Sequence, residues 1–346
     1  MEKTMRILSI AALALVGAVM TGCSSEDNFT AQPQQQVADK GNVVTVTATV
    51  GLGEQAGTRK LTIDGSKGVK TFAVGDKIAV VYQNTSGTMV KAETAALTAA
   101  DITSGGKSAK ITVTMTNPKA SGTVKYIYPA EMAGETDVDY TKLNTQDGTL
   151  ASLAANLDLA VYDGTLTSEA KLPASATLEN KLAILAVTLK NSGSSDITST
   201  ITGMTLGDGT NTYSVTREAA AGPIYVAIQP TTSASISITA TDGSKNYAKS
   251  LTGKDYAANN GYNVSWTVKQ QYSITLTGPY SGATLNMEFC EGDTWNDMAA
   301  KYPTYLSIHS TTKWVMFYTD GFICDSNNKK VLATAQIGPN ATYTIQ

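Results

Sequence analysis

The strongest constraint on the fold is an alternating segment near the start of the chain. Residues 42–50, NVVTVTATV, place Val44, Val46, Ala48 and Val50 on one side of an extended backbone and threonines on the other. This two-residue period is typical of a strand with one buried face. Further strands are predicted at residues 78–82, 110–116, 123–128, 182–190, 197–206, 224–229, 235–240 and 263–268. The sequence therefore predicts an all-β fold.

Charge and histidine content exclude two classes of function. Only 16% of the residues are charged and the net charge is −3, so no basic surface for nucleic acid is expected. The single histidine, His309, has no evident partner for acid–base catalysis. The acidic segment 135–139 lacks the spacing of a calcium loop. We predict no enzymatic activity, no cofactor and no metal.

The first 27 residues indicate where the chain resides. Lys3 and Arg6 precede an apolar run, residues 7–20, that is too short for an ordinary membrane span. With small residues on either side of Cys23, the segment resembles a bacterial lipoprotein signal. That resemblance implies cleavage after residue 22, lipid on Cys23 and attachment to the outer membrane. The alternative is a plain secretory signal with an incidental cysteine.

Polar and glycine-rich segments divide the rest of the chain. Residues 23–41 are rich in glutamine and predict a flexible tether. We place a first β-sandwich at residues 42–170 and a second at 171–270, separated by the polar stretch 165–175. Beyond residue 270 aromatic residues become frequent, which indicates a small additional module at 271–346.

The C-terminal module is predicted to be α+β. Thr294 is a helix N-cap with Asp297 three residues later, and the helix would bury Trp295, Met298, Ala299 and Tyr302 on one face. Strands are predicted at residues 274–277, 285–289, 313–318 and 343–345. Their order predicts a ββαββ-like unit.

An ordered set of segments carries a resemblance to a known family. The set begins with Thr58-Arg59, FAVGDKIAVVY at 72–82 and YIYPA at 126–130. It continues with TQDGTLASL at 145–153, LAILAVTLK at 182–190, IYVAIQP at 224–230 and GYNVSWTV at 261–268. In this order the segments resemble the fimbrillins of Bacteroidetes, the subunits of type V pili. Likewise, residues 24–27 resemble the export signal of surface lipoproteins in that group.

The resemblance implies a fold and a mode of assembly. The fold would be two tandem β-sandwiches of the transthyretin-like Greek-key type. In fimbrillins a trypsin-like protease cuts at an arginine in the loop after the first strand, which here is Arg59, so that Lys60 becomes the new N-terminus. The first strand, with Val44, Val46, Ala48 and Val50 on its inner face, would then leave. A strand from another pilus subunit would fill the groove. The alternative is that Arg59 is an ordinary exposed arginine.

Two roles at the cell surface remain open at this stage. The ending, KVLATAQIGPNATYTIQ, is broken by Gly338-Pro339 and is predicted to complete its own module, which favours a pilus tip or accessory subunit over a stalk subunit. The alternative is an anchored carbohydrate-binding surface lipoprotein. The protein would be on the outer membrane or, after processing, in the fimbrium.

Cysteines and aromatic residues of the C-terminal module supply two further hypotheses. In an oxidising compartment Cys290 and Cys324 are expected to form a disulfide, although both could be free core thiols. Tyr305, Trp314 and Tyr318 are candidates for contact with a host glycan or protein. Most aromatic residues of so small a module are nevertheless needed for its core.

Overall fold

The computed structural model describes residues 42–52, 62–64, 67–69, 71–317, 321–339 and 341–346, with backbone alone at 62–64 and 67–69. Strands dominate, as the sequence predicts. In chain order they are β1 Val43–Leu52, β2 Thr62–Asp64, β3 Lys67–Val69, β4 Ala79–Gln83, β5 Met89–Glu93, β6 Ile102–Thr103, β7 Ser108–Thr116, β8 Thr123–Tyr128, β9 Thr145–Gln146, β10 Ala160–Thr165, β11 Ser175–Asn180, β12 Ala183–Lys190, β13 Gly203–Gly207, β14 Thr212–Thr216, β15 Ile224–Ile228, β16 Thr231–Thr241, β17 Asn246–Tyr256, β18 Asn260–Thr267, β19 Lys269–Thr277, β20 Thr284–Cys290, β21 Leu306–Ile308, β22 Val315–Phe317, β23 Gly321–Cys324 and β24 Thr344–Ile345.

Helices are short and few within these residues. One turn of α-helix, α1 (Leu150–Ser152), continues as a π-helical turn at Leu153–Leu157, and α2 spans Trp295–Lys301. Four 3₁₀ turns lie at Ser104–Gly106, Ala130–Met132, Tyr140–Asn144 and Thr198–Thr200. The all-β prediction is therefore confirmed.

The first large sheet has eight strands in the order β5-β4-β8-β10-β11-β1-β7-β6. Strand β11 joins its two halves, because Ser175–Leu178 pair with β1 whereas Glu179 and Asn180 pair with β10. Side chains from both halves meet in one hydrophobic core, to which β1, β4, β7, β8 and β11 all contribute. The two halves therefore enclose a common interior.

Strands β4 and β8 are buried on both faces. Val80 and Tyr82 of β4 contact the core beneath β1, whereas Ala79 and Val81 contact a second core. This second core is formed mainly by a five-stranded sheet, β15-β12-β18-β3-β2, and a seven-stranded sheet, β20-β19-β17-β16-β13-β14-β9. A continuous apolar run such as AVVY suits such a position because no polar residue interrupts either face.

Backbone pairing crosses both boundaries that the sequence suggested. Strand β11 lies beyond residue 170 but pairs with β1, and β9 lies before it but pairs with β14. At residue 270, β19 continues the seven-stranded sheet by pairing with β17. Residues Gly41–Gln346 cluster as one compact unit. The domain boundaries at residues 170 and 270 therefore stay a prediction. In the structure, the parts on either side of each boundary share a sheet.

The C-terminal residues contain the predicted helix and a third core. Thr294 and Asp297 form the expected capping box, and α2 buries Trp295 and Met298. The predicted strands correspond to β19, β20, β22 and β24. Two further strands, β21 and β23, were not predicted, and they complete a four-stranded sheet in the order β21-β22-β23-β24.

A buried glutamine covers the outer edge of β15. Gln146 is 5% exposed; its amide nitrogen donates to the carbonyls of Leu143 (2.9 Å) and Ala227 (2.8 Å), and its amide oxygen accepts from the Ala227 N–H (2.9 Å). Ala227 pairs with β12 on its other side. The side chain of Gln146 thus replaces a neighbouring strand at this point.

Replacing Gln146 by leucine is expected to lower the free energy of unfolding by about 2–4 kcal/mol, because buried backbone groups lose their partners. Thr145→Ala, at the exposed neighbouring position, should change it by no more than about 0.5 kcal/mol. Urea unfolding followed by circular dichroism measures both. Equal effects of the two substitutions would contradict this role of Gln146.

Candidate functional site

The first strand lies inside a sheet and not at its edge. Strand β1 pairs antiparallel with β7 from Val43 to Gly51 and parallel with β11 from Thr49 to Leu52. On its outer face, Thr45 and Thr47 hydrogen-bond to Thr114 and Thr112 of β7, each at an oxygen–oxygen distance of 3.1 Å. The strand is thus held on both sides near its C-terminal end.

The inner face of β1 is part of the core. Val46, Ala48, Val50 and Leu52 are 7%, 3%, 0% and 8% exposed, and Val44 is half-buried. The faces predicted from the alternation are therefore the faces observed. Burying the three larger side chains that lie fully inside contributes about 5–9 kcal/mol in total. The apolar side chains that β1 covers would be exposed to water if β1 were removed.

The neighbours of β1 have few other partners in the sheet. Within the described residues, β7 pairs beyond β1 only with the two residues of β6, and β11 pairs with β10 at two positions. Removing β1 would therefore leave the edge of β7 open over residues 108–116 and that of β11 over 175–178. Two open edges flanking an apolar floor make a groove that fits one alternating strand.

The chain changes sheets directly after β1. Strand β1 ends at Leu52 in the eight-stranded sheet, and the next described strand, β2, lies in the five-stranded sheet. Arg59 and Lys60, the predicted processing site, belong to the intervening residues and lie outside the described residues, as does Cys23 with the signal and tether. If the chain were cut at Arg59, β1 would be held to the described part only by non-covalent contacts.

Two of the segments that carry the family resemblance meet in space. The ring of Phe72 lies 4.9 Å from that of Tyr128, and the Tyr128 hydroxyl donates to the carboxylate of Asp76. The same carboxylate accepts from the N–H of Ala73 at 2.7 Å, across a turn in which Gly75 has φ of +96°. Burial and the nearby Asp76 raise the pKa of Tyr128, so its hydroxyl remains a donor. The contact links the segment that precedes β4 to the end of β8.

The two cysteines are free thiols in this structure, which differs from the predicted disulfide. Cys290 ends β20 in the seven-stranded sheet, whereas Cys324 ends β23 in the four-stranded sheet. Cys324 is buried, and its thiol lies 3.7 Å from the Phe322 carbonyl. Burial raises the pKa of both thiols. The disulfide was predicted from the oxidising compartment alone, and the compartment says nothing about where the two cysteines lie in the fold.

Of the aromatic residues predicted to contact a host glycan or protein, the two that the structure describes are only partly exposed. Trp314 and Tyr305 are half-buried, and Tyr318 lies outside the described residues. Trp314 packs edge-on against Phe322 at 5.5 Å, and the Lys330 ammonium lies 4.5 Å from the Trp314 ring and 3.8 Å from the Phe322 ring. Lys330 did not stand out in the sequence, because no spacing rule links it to Trp314 or to Phe322, another aromatic residue of this module. The structure brings them together across β22 and β23.

The described part of the chain offers neither a membrane-spanning helix nor a cluster of metal ligands. It contains no helix both long and apolar enough to span a bilayer. Among the same residues, no group of histidine, cysteine and acidic side chains could hold a metal ion. Asp137 instead forms an ion pair with Lys125, and Asp139 caps the turn that begins at Tyr140.

Comparisons with known proteins find similarity in structure alone. No family model matches the chain, and no curated protein matches it. Among solved structures, a fimbrial assembly protein of Parabacteroides distasonis ATCC 8503 is 8% identical, with 72% of this chain and 100% of that chain covered and a TM-score of 0.36. A candidate cell adhesion protein of Bacteroides fragilis NCTC 9343 is 14% identical, with coverages of 72% and 99% and a TM-score of 0.34.

A more distant similarity involves the major pilin of Streptococcus pyogenes, at 12% identity, coverages of 66% and 98% and a TM-score of 0.20. The structural neighbours are thus fimbrial and adhesion proteins, the kind of protein that the sequence resembles.

Proposed function

We propose that this chain is a cell-surface pilus subunit that loses β1 by proteolysis and receives a strand from another subunit in its place. The observation that carries the proposal is the position of β1 between β7 and β11, with its apolar face completing the core. An interior strand at the start of a chain can be removed by a single cut. The remaining sheet then has a groove for a strand of the same alternation.

The energetics favour refilling the groove over leaving it empty. Loss of β1 exposes the apolar floor and two unpaired edges, which is unfavourable in water and invites edge-to-edge pairing. A donor with apolar residues at every second position restores both the burial and the backbone hydrogen bonds. The reaction is an exchange of one strand for another.

Lipid on Cys23 would hold the precursor on the outer membrane, and a trypsin-like protease acting between Arg59 and Lys60 would release the folded part from that anchor. Several buried acyl chains make such an anchor effectively permanent until the cut occurs. The function is structural, with no chemical step performed by the chain.

A role at the pilus tip is supported by the last described strand. Strand β24 pairs with β23, and Gln346 exchanges two backbone hydrogen bonds with Phe322, at 2.7 and 3.0 Å. Strand β24 is therefore already hydrogen-bonded to β23 within its own sheet. We propose that the chain accepts a strand without donating this one.

The test is the N-terminal residue of the protein on the cell, read by mass spectrometry of outer-membrane and sheared surface fractions. We expect Lys60 at the N-terminus in sheared material, and Arg59→Ala should abolish this species and the polymer with it. The chain has three arginines, of which Arg6 precedes the predicted lipid site, so Arg217→Ala is the matched control. The Arg217 guanidinium already donates to the carbonyls of Glu218 and Ala220, and its replacement should leave processing unchanged.

Normal polymer from Arg59→Ala cells would contradict the proposal. Lipidated Cys23 in every fraction would also contradict it and would favour the anchored carbohydrate-binding lipoprotein.

A further inference from the structure

Strands β10 and β11 pair at one end and separate at the other. Ala160 pairs with Asn180 and Val161 with Glu179, and within the described residues the two strands pair no further. A cavity of about 560 Å³ lies beside the separating parts and is lined by residues of both strands. Where β11 leaves β10, its residues 175–178 pair with β1 instead. Strand β11 is thus shared between two neighbours.

Alternate residues of β11 face alternate neighbours. The Ala174 carbonyl accepts from the Thr49 N–H at 3.0 Å, whereas the Lys181 N–H donates at 2.9 Å to the carbonyl of the residue before β10. Successive strand residues direct their N–H and C=O groups to opposite sides, so the even-numbered residues here face β1 and the odd-numbered ones face β10. The backbone groups of Ser175 and Thr177 therefore point toward β10, where no strand pairs with them in the described part of the chain.

Strand β10 has a matching set of unpaired groups. All six of its residues, Ala160–Thr165, pair with β8 on one side, but only the first two pair with β11 on the other. Because the carbonyl just before β10 faces β11, the backbone groups of Asp163 and Thr165 face that side too. Among the described residues, no strand pairs with either of them on this edge.

The existing pairs set a register that would bring these groups together. Val161 lies opposite Glu179, so the same antiparallel register places residues 162–165 opposite residues 175–178 in reverse order. No residue has to be inserted or skipped. Two further hydrogen-bonded pairs would form, which amounts to about four backbone hydrogen bonds.

The side chains are compatible with this pairing on both faces. On the core face, Tyr162 would lie opposite Leu178 and Gly164 opposite Ala176. Tyr162, Leu178 and Ala176 already contact the core beneath β1. On the other face the residues are all polar and exposed, namely Asp163, Thr165, Ser175 and Thr177. The pairing would therefore move no side chain from core to water or from water to core.

We propose that β11 is a movable strand, and that residues 175–178 pair with residues 162–165 of β10 when β1 leaves. The inference rests on the proposed function, since it concerns the state without β1. While β1 is present, its pairing with β11 holds these residues away from β10. Once β1 is gone, no described strand pairs with residues 175–178, and pairing with β10 replaces hydrogen bonds that were lost.

This movement would set the order in which a donor strand is captured. The edge of β7 over residues 108–116 would remain open, whereas β11 would be drawn toward β10. A donor would therefore pair first with β7 and then recover β11 from β10. The second step breaks pairs within the subunit, so it lowers the affinity for every donor and most of all disfavours short ones.

Thr177→Pro separates the two pairings of β11. Proline has no N–H, and the N–H of Thr177 faces β10, where no described strand pairs with it. The substitution should leave the urea midpoint of the unprocessed protein unchanged but should block the new pairing. Thr177→Ala keeps the N–H and is the matched control.

Ala48→Asp provides the state without β1 in the chain that lacks residues 1–22, because a carboxylate at this buried position drives β1 out of the sheet. Hydrogen–deuterium exchange is read by mass spectrometry. We expect β7 to lose protection, while the amides of Asp163 and Thr165 exchange at least about tenfold more slowly than in the unaltered chain. Adding Thr177→Pro should abolish this gain, and adding Thr177→Ala should not.

The processed chain, which begins at Lys60, is measured in the same way and should show the same gain. Unchanged or faster exchange of Asp163 and Thr165 once β7 has lost protection would overturn the inference and leave the proposed function as it stands. A chain beginning at Lys60 without slow exchange at these two residues, folded or not, would overturn it as well. Failure of the proposed function is read separately, from the N-terminal residue on the cell.

A synthetic peptide of residues 42–52 gives a second readout, because it presents the sequence of β1 as a donor. If β11 must be recovered from β10, the peptide should bind the Ala48→Asp chain at least about threefold more tightly when Thr177→Pro is added. Thr177→Ala should leave the affinity unchanged. Isothermal titration calorimetry measures the three affinities. Equal affinities with and without Thr177→Pro would overturn the inference.

Discussion

Replacing Ala48 by aspartate is expected to lower the free energy of unfolding of the unprocessed protein by about 3–5 kcal/mol. Ala48 is 3% exposed and lies opposite Ile111 in the β1–β7 pair. A carboxylate there would point into a core of aliphatic and aromatic side chains with no charged partner. The strand must either bury an unpaired charge or leave its place in the sheet. Urea unfolding of the chain lacking residues 1–22 measures the loss.

The matched control is the adjacent residue. Thr47 is exposed on the outer face of the same strand, so Thr47→Asp should cost no more than about 1 kcal/mol, including its hydrogen bond with Thr112. If both aspartates had the same effect, the faces of β1 would not be as described. A chain that begins at Lys60 lacks both positions, and its stability then reports on the empty groove.

Replacing Trp295 by alanine is expected to destabilise the C-terminal core by about 3–5 kcal/mol. Trp295 is fully buried at the first position of α2, and its ring meets that of Tyr343 edge-on at 5.0 Å. The indole belongs to the C-terminal core together with Met298 of α2 and Phe317 of β22, so its removal would leave a cavity there. Loss of near-ultraviolet circular dichroism and a lower urea midpoint would report the effect.

Trp295→Phe separates packing from hydrogen bonding. Within the described residues the buried indole N–H has no hydrogen-bond partner, so phenylalanine removes volume but no hydrogen bond. We therefore expect a smaller loss, about 1–2 kcal/mol. Asn296→Ala, at the exposed next residue, should be close to neutral. A phenylalanine variant as unstable as the alanine variant would show that the N–H is bonded after all.

Local features of the fold could be predicted because they depend on neighbours in the chain. The alternation of residues 43–50 predicted which side chains of β1 are buried, since successive residues of a strand point to opposite faces. The capping box at Thr294 and Asp297 likewise predicted the start of α2, because both partners lie within one helical turn. These contacts need no knowledge of distant residues.

Features that join distant parts of the chain could not be predicted. The parallel pairing of β1 with β11 links residues more than a hundred positions apart, and nothing in the local sequence around Ser175 and Ala176 predicts it. The contact of Gln146 with Ala227 likewise joins residues far apart in the chain. The sequence also did not predict that Cys290 and Cys324 lie in different sheets.

By itself, then, the sequence determined the strand-rich class, the buried face of β1 and the cap of α2, because hydrophobic period and short-range hydrogen bonding are encoded locally. Only the tertiary structure decided that β1 is an interior strand held between β7 and β11, that the sheets cross the expected domain boundaries, and that Cys290 and Cys324 lie in different sheets. Each of these depends on which strand edges meet, and strand pairing is settled by the burial available to the whole chain.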